Sequence, residues 1–230
     1  MVRKKTKGIK KTTGDYLHHG TRAALSVIPW IGGSAVELFS ILIAPPLEKR
    51  LDEFLNDISD RLKRLEEQGK TNFKNLSENK EFISAVLQAM RTAISTHDEE
   101  KLNALRNAVI NTALDDTLDD AKRQIFLRYI DELTPWHILI LKGMADLRNA
   151  PPIPLKQFID TYLPDFSAEE KEFFDVLQRE LSDRGLLGPT VDGVRMSLDA
   201  TIGGVKLTSR HGDEFLHFIT EHTKEKRFLN

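Results

Sequence analysis

Pro45-Pro46-Leu47-Glu48-Lys49-Arg50-Leu51-Asp52-Glu53-Phe54-Leu55-Asn56-Asp57-Ile58-Ser59-Asp60-Arg61-Leu62-Lys63-Arg64-Leu65 is the stretch that decides the fold class. Leu47, Leu51, Phe54, Leu55, Ile58, Leu62 and Leu65 recur at helical intervals, and Glu, Lys, Arg and Asp occupy the other face. Proline at the start costs little, because the amides of a first turn have no intrahelical partner. Gly69 is the expected stop. Such a face serves a helical bundle or a short coiled-coil seam equally well, so self-association into a homo-oligomer is expected.

The same period continues downstream. Ser77 is read as the cap of a helix carrying Phe82, Ile83, Val86, Leu87, Met90 and Ile94. Asp98-Glu99-Glu100 suit the positive end of a helix dipole and lead into Leu102, Leu105, Val109 and Ile110. Leu118, Ala121, Ile125, Phe126, Tyr129 and Ile130 line a further face. Thr134-Pro135, a cap followed by a first-turn proline, opens a helix over Trp136–Leu141. Asn149-Ala150-Pro151-Pro152-Ile153-Pro154 then punctuates the chain. Beyond it the pattern predicts helices at Leu155–Tyr162, Ser167–Arg184 and about Ser209–Glu221. Strands at Val194–Ile202 and Val205–Thr208 are expected to pair as a hairpin across Gly203-Gly204. The fold class is therefore mainly α: a helical bundle over 23–147 and a small winged-helix-like α+β module over 148–230, behind a basic leader at 1–22.

Upstream of the deciding stretch the character changes. The 230-residue chain has a formal charge of −2. Residues 1–22 hold seven cations (Arg3, Lys4, Lys5, Lys7, Lys10, Lys11 and Arg22) against Asp15, a net +6 that leaves −8 for the rest. A basic leader on an acidic body concentrates attraction for anionic partners in the leader. Ala23–Leu47 then runs AALSVIPWIGGSAVELFSILIAPPL, with Glu37 its one charge. As a straight helix it would span roughly 37 Å, more than a bilayer core of about 30 Å. Pro29, Gly32-Gly33 and Glu37 argue against an ordinary span, and the long polar leader argues against a signal peptide. Ser26, Gly33, Glu37, Ser40 and Ala44 form a small or polar stripe that permits close helix approach. Two readings stay open: a helix buried in the bundle, or a conditional membrane binder.

Composition and motifs exclude more than they assign. With no cysteine there is no disulfide scaffold, thiolate zinc site or cysteine nucleophile. Gly69-Lys70-Thr71 lacks the first glycine and the preceding strand of a phosphate loop. Asp115, Asp116, Asp119 and Asp120 read as helix-start acids rather than cation ligands. His211, His217 and His222 do not share a helical face, and His18-His19 stand alone. Ser167–Arg184 carries six acids against three bases, a poor reader of DNA, so nucleic acid is not the expected partner. No catalytic residues, cofactor or metal are assigned. The chain reads as a non-enzymatic protein.

Asp131-Glu132-Leu133-Thr134-Pro135-Trp136, Leu181-Ser182-Asp183-Arg184-Gly185-Leu186-Leu187 and Leu207-Thr208-Ser209-Arg210-His211-Gly212-Asp213-Glu214-Phe215-Leu216-His217-Phe218-Ile219 carry a resemblance. In spacing and order, over roughly 125–222, they resemble the tail of bacterial Abi-alpha-type proteins. That resemblance implies a role in abortive-infection phage defence and carries over no functional residue. An apolar first helix ahead of a bundle is also similar, in architecture alone, to HeLo-type cell-death domains, which disrupt membranes. Together these predict a cytoplasmic protein working at the inner face of a bacterial membrane. Its expected partners are an anionic membrane surface and an unidentified protein. The expected contact residues are Arg3, Lys4, Lys5, Lys7, Lys10, Lys11, Trp30, Gly32, Gly33, Glu37 and Phe39. The alternative is a regulatory interaction module with no membrane step.

Overall fold

The computed structural model describes residues 44–221 apart from 116, 164–165, 168–169 and 192–196. The chain divides into two compact units, 1–53 and 54–230. All the expected membrane-contact residues, from Arg3 to Phe39, lie outside the described residues. The protein is mainly helical, with nine α-helices among the described residues and one small antiparallel sheet.

Helix α1, Ala44–Glu67, is the amphipathic helix expected from the deciding stretch. Leu51, Phe54, Ile58 and Leu62 are buried along one stripe. It stops at Gly69, whose φ of 67° suits a residue without a side chain. After the short α2, Phe73–Glu78, comes α3, Lys80–Ser95. Ser77 does not cap α3, as the sequence suggested, but lies within α2. Asn79 is the cap, accepting a bond from the amide of Phe82 at 2.7 Å. Asparagine caps as well as serine, and only the break between two helices shows which one is used.

Helix α4, Glu99–Leu114, is the hub, packing against α3, α5 (Asp120–Glu132), α6 (Pro135–Asp146) and α9 (Arg210–Ile219). It packs most extensively on α3, and both helices bury small side chains: Ala85, Ala89 and Ala93 of α3, Ala104 and Ala108 of α4. Helices α7, Leu155–Tyr162, and α8, Lys171–Asp183, then pack on α6. One buried apolar cluster runs from Phe54 to Ile219.

Among the described residues the expected hairpin does not form. β2, Thr201–Ile202, pairs antiparallel with β1, Ile153–Pro154. Thr208 makes an isolated bridge with Leu187 instead. The two arms diverge because each is anchored elsewhere. Leu155 and Lys156 donate their amides to the carbonyls of Ala200 and Leu198, while Gly188 donates to Leu207 at 2.8 Å. Gly203-Gly204 still turns the chain, with both residues at positive φ and the Gly204 amide bonded to the Leu147 carbonyl at 3.0 Å.

Candidate functional site

Residues 131–136, 181–187 and 207–219 converge on one joint, where α5 ends, α6 begins, α8 ends and α9 begins. Thr134 caps α6, and Pro135 follows it, as the sequence suggested. The Thr134 amide donates to His137 Nδ1 at 3.0 Å, and the Thr134 hydroxyl lies 2.8 Å from the same atom. With Nδ1 accepting, the neutral ring carries its proton on Nε2, which faces Glu180 Oε2 at 3.3 Å. His137 is 2% exposed, and its pKa falls from 6.5 to about 4. Burial is the main cause, Arg184 and Lys101 add to it, and Glu180 opposes it.

Arg184 ties the joint together. Its Nη2 lies 3.5 Å from Glu132 and its Nη1 3.7 Å from Glu180. Its carbonyl accepts from the Tyr129 hydroxyl at 3.3 Å. Gly185, at φ 68°, then lets the chain leave α8. Ser209, the cap of α9, donates its hydroxyl to the Gly185 carbonyl at 2.6 Å and its amide to Leu186 at 3.0 Å. Gly212 lies so close to this turn that a Cβ there would stand 2.1 Å from the Leu186 carbonyl oxygen. Phe126, Tyr129, His211 and Phe215 fill the space beside the turn, with ring centroids 5.0–6.3 Å apart where they meet. Carboxylates and a guanidinium answer one another's charge here around a neutral imidazole, which is the chemistry of a packing joint.

The other end of α9 is held by residues the sequence did not single out. Asn111 Nδ2 donates to the carbonyls of His217, Phe218 and Thr220 at 3.2, 2.9 and 2.9 Å. One turn earlier on α4, Asn107 Nδ2 donates to Ile219 at 3.0 Å and its Oδ1 accepts from Arg61. The terminal carbonyls of a helix lack intrahelical donors, and here α4 supplies them. In sequence, the signal was a row of asparagines at i, i+4 intervals, Asn103, Asn107 and Asn111, of which the last two reach α9.

The remaining sequence candidates resolve into local structure. Asp119 caps α5, accepting from the amides of Ala121 and Lys122. Asp115 accepts from the amide and hydroxyl of Thr117. No group of metal-ligating side chains is present among the described residues. Nor is any helix among them long and apolar enough to cross a membrane.

Two surface features remain. A cleft of about 560 Å³ is lined by residues including Leu87, Gln88, Arg91, Ser95, Arg128 and Asp131. Beside it α3 exposes Ile83 and Leu87, and on α8 Phe173 and Val176 are exposed, Phe173 stacking on Phe166. Comparison with protein-family models, with curated proteins and with solved structures finds no match to this chain.

Proposed function

We propose that the protein is a non-enzymatic bacterial membrane-engaging protein, acting at the inner face of the membrane as a phage-defence or growth-arrest effector. One observation carries this reading: a leader of net +6 runs directly into 25 positions with a single charge, Glu37. In this picture Arg3, Lys4, Lys5, Lys7, Lys10 and Lys11 each contribute about 1 kcal/mol of attraction near anionic lipid. Trp30 and Phe39 then enter the interface, and Gly32-Gly33 lets the apolar run bend. Glu37 acts as a brake until it is paired or protonated. The order of motifs shared with Abi-alpha-type proteins supports the defence role. Co-sedimentation of the intact chain with anionic and with neutral liposomes tests it. Selective pelleting with anionic lipid, abolished when the six leader cations become glutamine, is the expected result. Equal behaviour with and without lipid would overturn it.

Exposed Ile83, Leu87, Phe173 and Val176 favour a second reading, a protein-interaction module. In that reading residues 148–230 form a winged-helix-like unit. Support comes from α7 and α8 followed by the Gly203-Gly204 turn, which exposes Val205, and from α9 closing the module. Helix α8 is acidic, which suits a protein partner better than DNA. The liposome experiment separates the two, because this reading requires a folded protein indifferent to lipid.

A further inference from the structure

The cleft between α3 and α5 gathers polar groups that the fold itself does not use. Ser84, Gln88 and Arg91 follow at intervals of four and three, so they share one face of α3. Arg128 and Asp131 of α5 line the same cleft. Among the described residues the Ser84 hydroxyl, the Gln88 carboxamide and the Arg91 guanidinium have no hydrogen bond or ion pair. Elsewhere in the body Arg61, Arg106, Arg123 and Arg184 each face a carboxylate. Arg128 is held loosely. Its Nε stands 3.6 Å from Glu132, beyond hydrogen-bond distance, and Arg184 shares that carboxylate at 3.5 Å.

The cleft therefore has a sign. Asp131 is the one carboxylate among its lining residues. Lys101, which does not line it, donates its Nζ to the Asp131 carbonyl at 2.8 Å and answers the Asp131 charge. Two guanidiniums are left facing about 560 Å³ of space, on a body that carries the net −8 outside the leader. That volume lies in the range of small-molecule sites. Two forks brought together from separate helices suit a tetrahedral phosphate, which offers oxygens on several sides, whereas one fork satisfies a flat carboxylate. Ser84 and Gln88 add neutral donors. The Asp131 carboxylate only accepts, so beside the phosphate it calls for a hydroxyl on the ligand.

We infer that the cleft between α3 and α5 binds a small phosphate ester carrying a hydroxyl group, of the glycerol phosphate class, free or as a lipid headgroup. Arg91 and Arg128 hold the phosphate, and Asp131 takes the hydroxyl. The site uses none of the residues assigned to the membrane, so either proposal can fail without the other.

Titration of the intact chain with glycerol phosphate, followed by amide NMR shifts, tests it. Saturable shifts in α3 and α5 are expected. Arg91→Gln and Arg128→Gln alter exposed residues and should each weaken binding at least about tenfold. Arg179→Gln removes an exposed, unpaired arginine from α8 and should change nothing. Asp131→Asn should bind inorganic phosphate undiminished but lose the preference for glycerol phosphate over it. Short-chain phosphatidylglycerol, kept monomeric, separates the two sources: tighter binding than glycerol phosphate assigns the headgroup, weaker binding the free ester. Absence of shifts at about 10 mM glycerol phosphate overturns the proposal. So does a loss for Arg179→Gln equal to that for Arg91→Gln, the mark of general attraction to positive charge, or an Asp131→Asn variant with its preference intact.

Discussion

The contact between α3 and α4 and the docking of α9 solve the same problem by different means. The first joins helices adjacent in sequence whose buried faces repeat alanine, so any one position resembles its neighbours a turn away. The second joins α9 to segments 24 to 112 residues distant, through backbone atoms at both of its ends. Ser209 and Gly212 dock on Gly185-Leu186, and Asn107 and Asn111 take the terminal carbonyls. A periodic contact distributes its stability along its length, whereas a register-specific one concentrates it in a few atoms. Substitution should expose that difference.

Gly212→Ala is the sharpest case. The added Cβ would meet the Leu186 carbonyl oxygen at 2.1 Å, and that neighbour is backbone rather than a flexible side chain. Helix α9 must move away, breaking the Ser209 bonds with it. A loss of at least about 3 kcal/mol is expected in urea unfolding, the upper end for overpacking. A loss below about 1 kcal/mol would show that the joint yields and that the contrast with α3 is false.

Asn111→Ala probes the opposite end of α9. It leaves three carbonyls without their shared donor, that of Phe218 on a buried residue, at a cost of about 2 kcal/mol. Native-state hydrogen exchange should then show the last turn of α9 opening before the rest. Uniform exchange across the molecule would mean that α9 is not held as a separate register-specific element.

Much of the fold was legible in the sequence, for a reason the same contrast makes plain. Leu51, Phe54, Ile58 and Leu62 reveal a helix because burial on one face imposes a period on the sequence. Gly69, Gly185 and Thr134-Pro135 mark ends because backbone sterics act locally. Contacts between remote segments leave no such period. Asn107 and Asn111 look like solvent-facing residues until α9 is seen beside them. Gly203-Gly204 correctly signals a turn, yet cannot say that its arms pair with Ile153–Pro154 and Leu187 rather than with each other. His137 was visible only as part of a helix start, since its burial depends on α8 arriving from 40 residues on. The expected membrane contacts, from Arg3 to Phe39, lie outside the described residues, so their reading still rests on charge and hydropathy.

On the periodic side, Ala89→Leu inserts three carbons at a position of α3 with no exposed surface, on a helix packed against α4 and α5. Packed helices can shift apart by a few tenths of an ångström to admit a larger side chain. The expected cost is roughly 1.5 kcal/mol, below Gly212→Ala despite the larger added volume. Thermal unfolding of the two variants side by side measures the ordering, and a larger loss for Ala89→Leu would reverse it.

The smallest effect concerns protons. His137 has a pKa of about 4 in the folded protein against 6.5 when free of its surroundings. Between those values the unfolded chain binds the proton and the folded one does not, so stability is full above 6.5 and falls as pH drops toward 4. His211, half-buried beside Lys122, is shifted in the same direction and adds to the slope. For His137 alone the loss amounts to about 1 kcal/mol between about pH 6.5 and pH 5.5. His137→Gln keeps an acceptor for the Thr134 amide but cannot titrate. Urea unfolding of both proteins at these two pH values should therefore give a pH-dependent loss smaller by that amount in the variant. An identical loss would place the proton sensitivity elsewhere, and the joint at the ends of α5, α6, α8 and α9 would be held by shape alone.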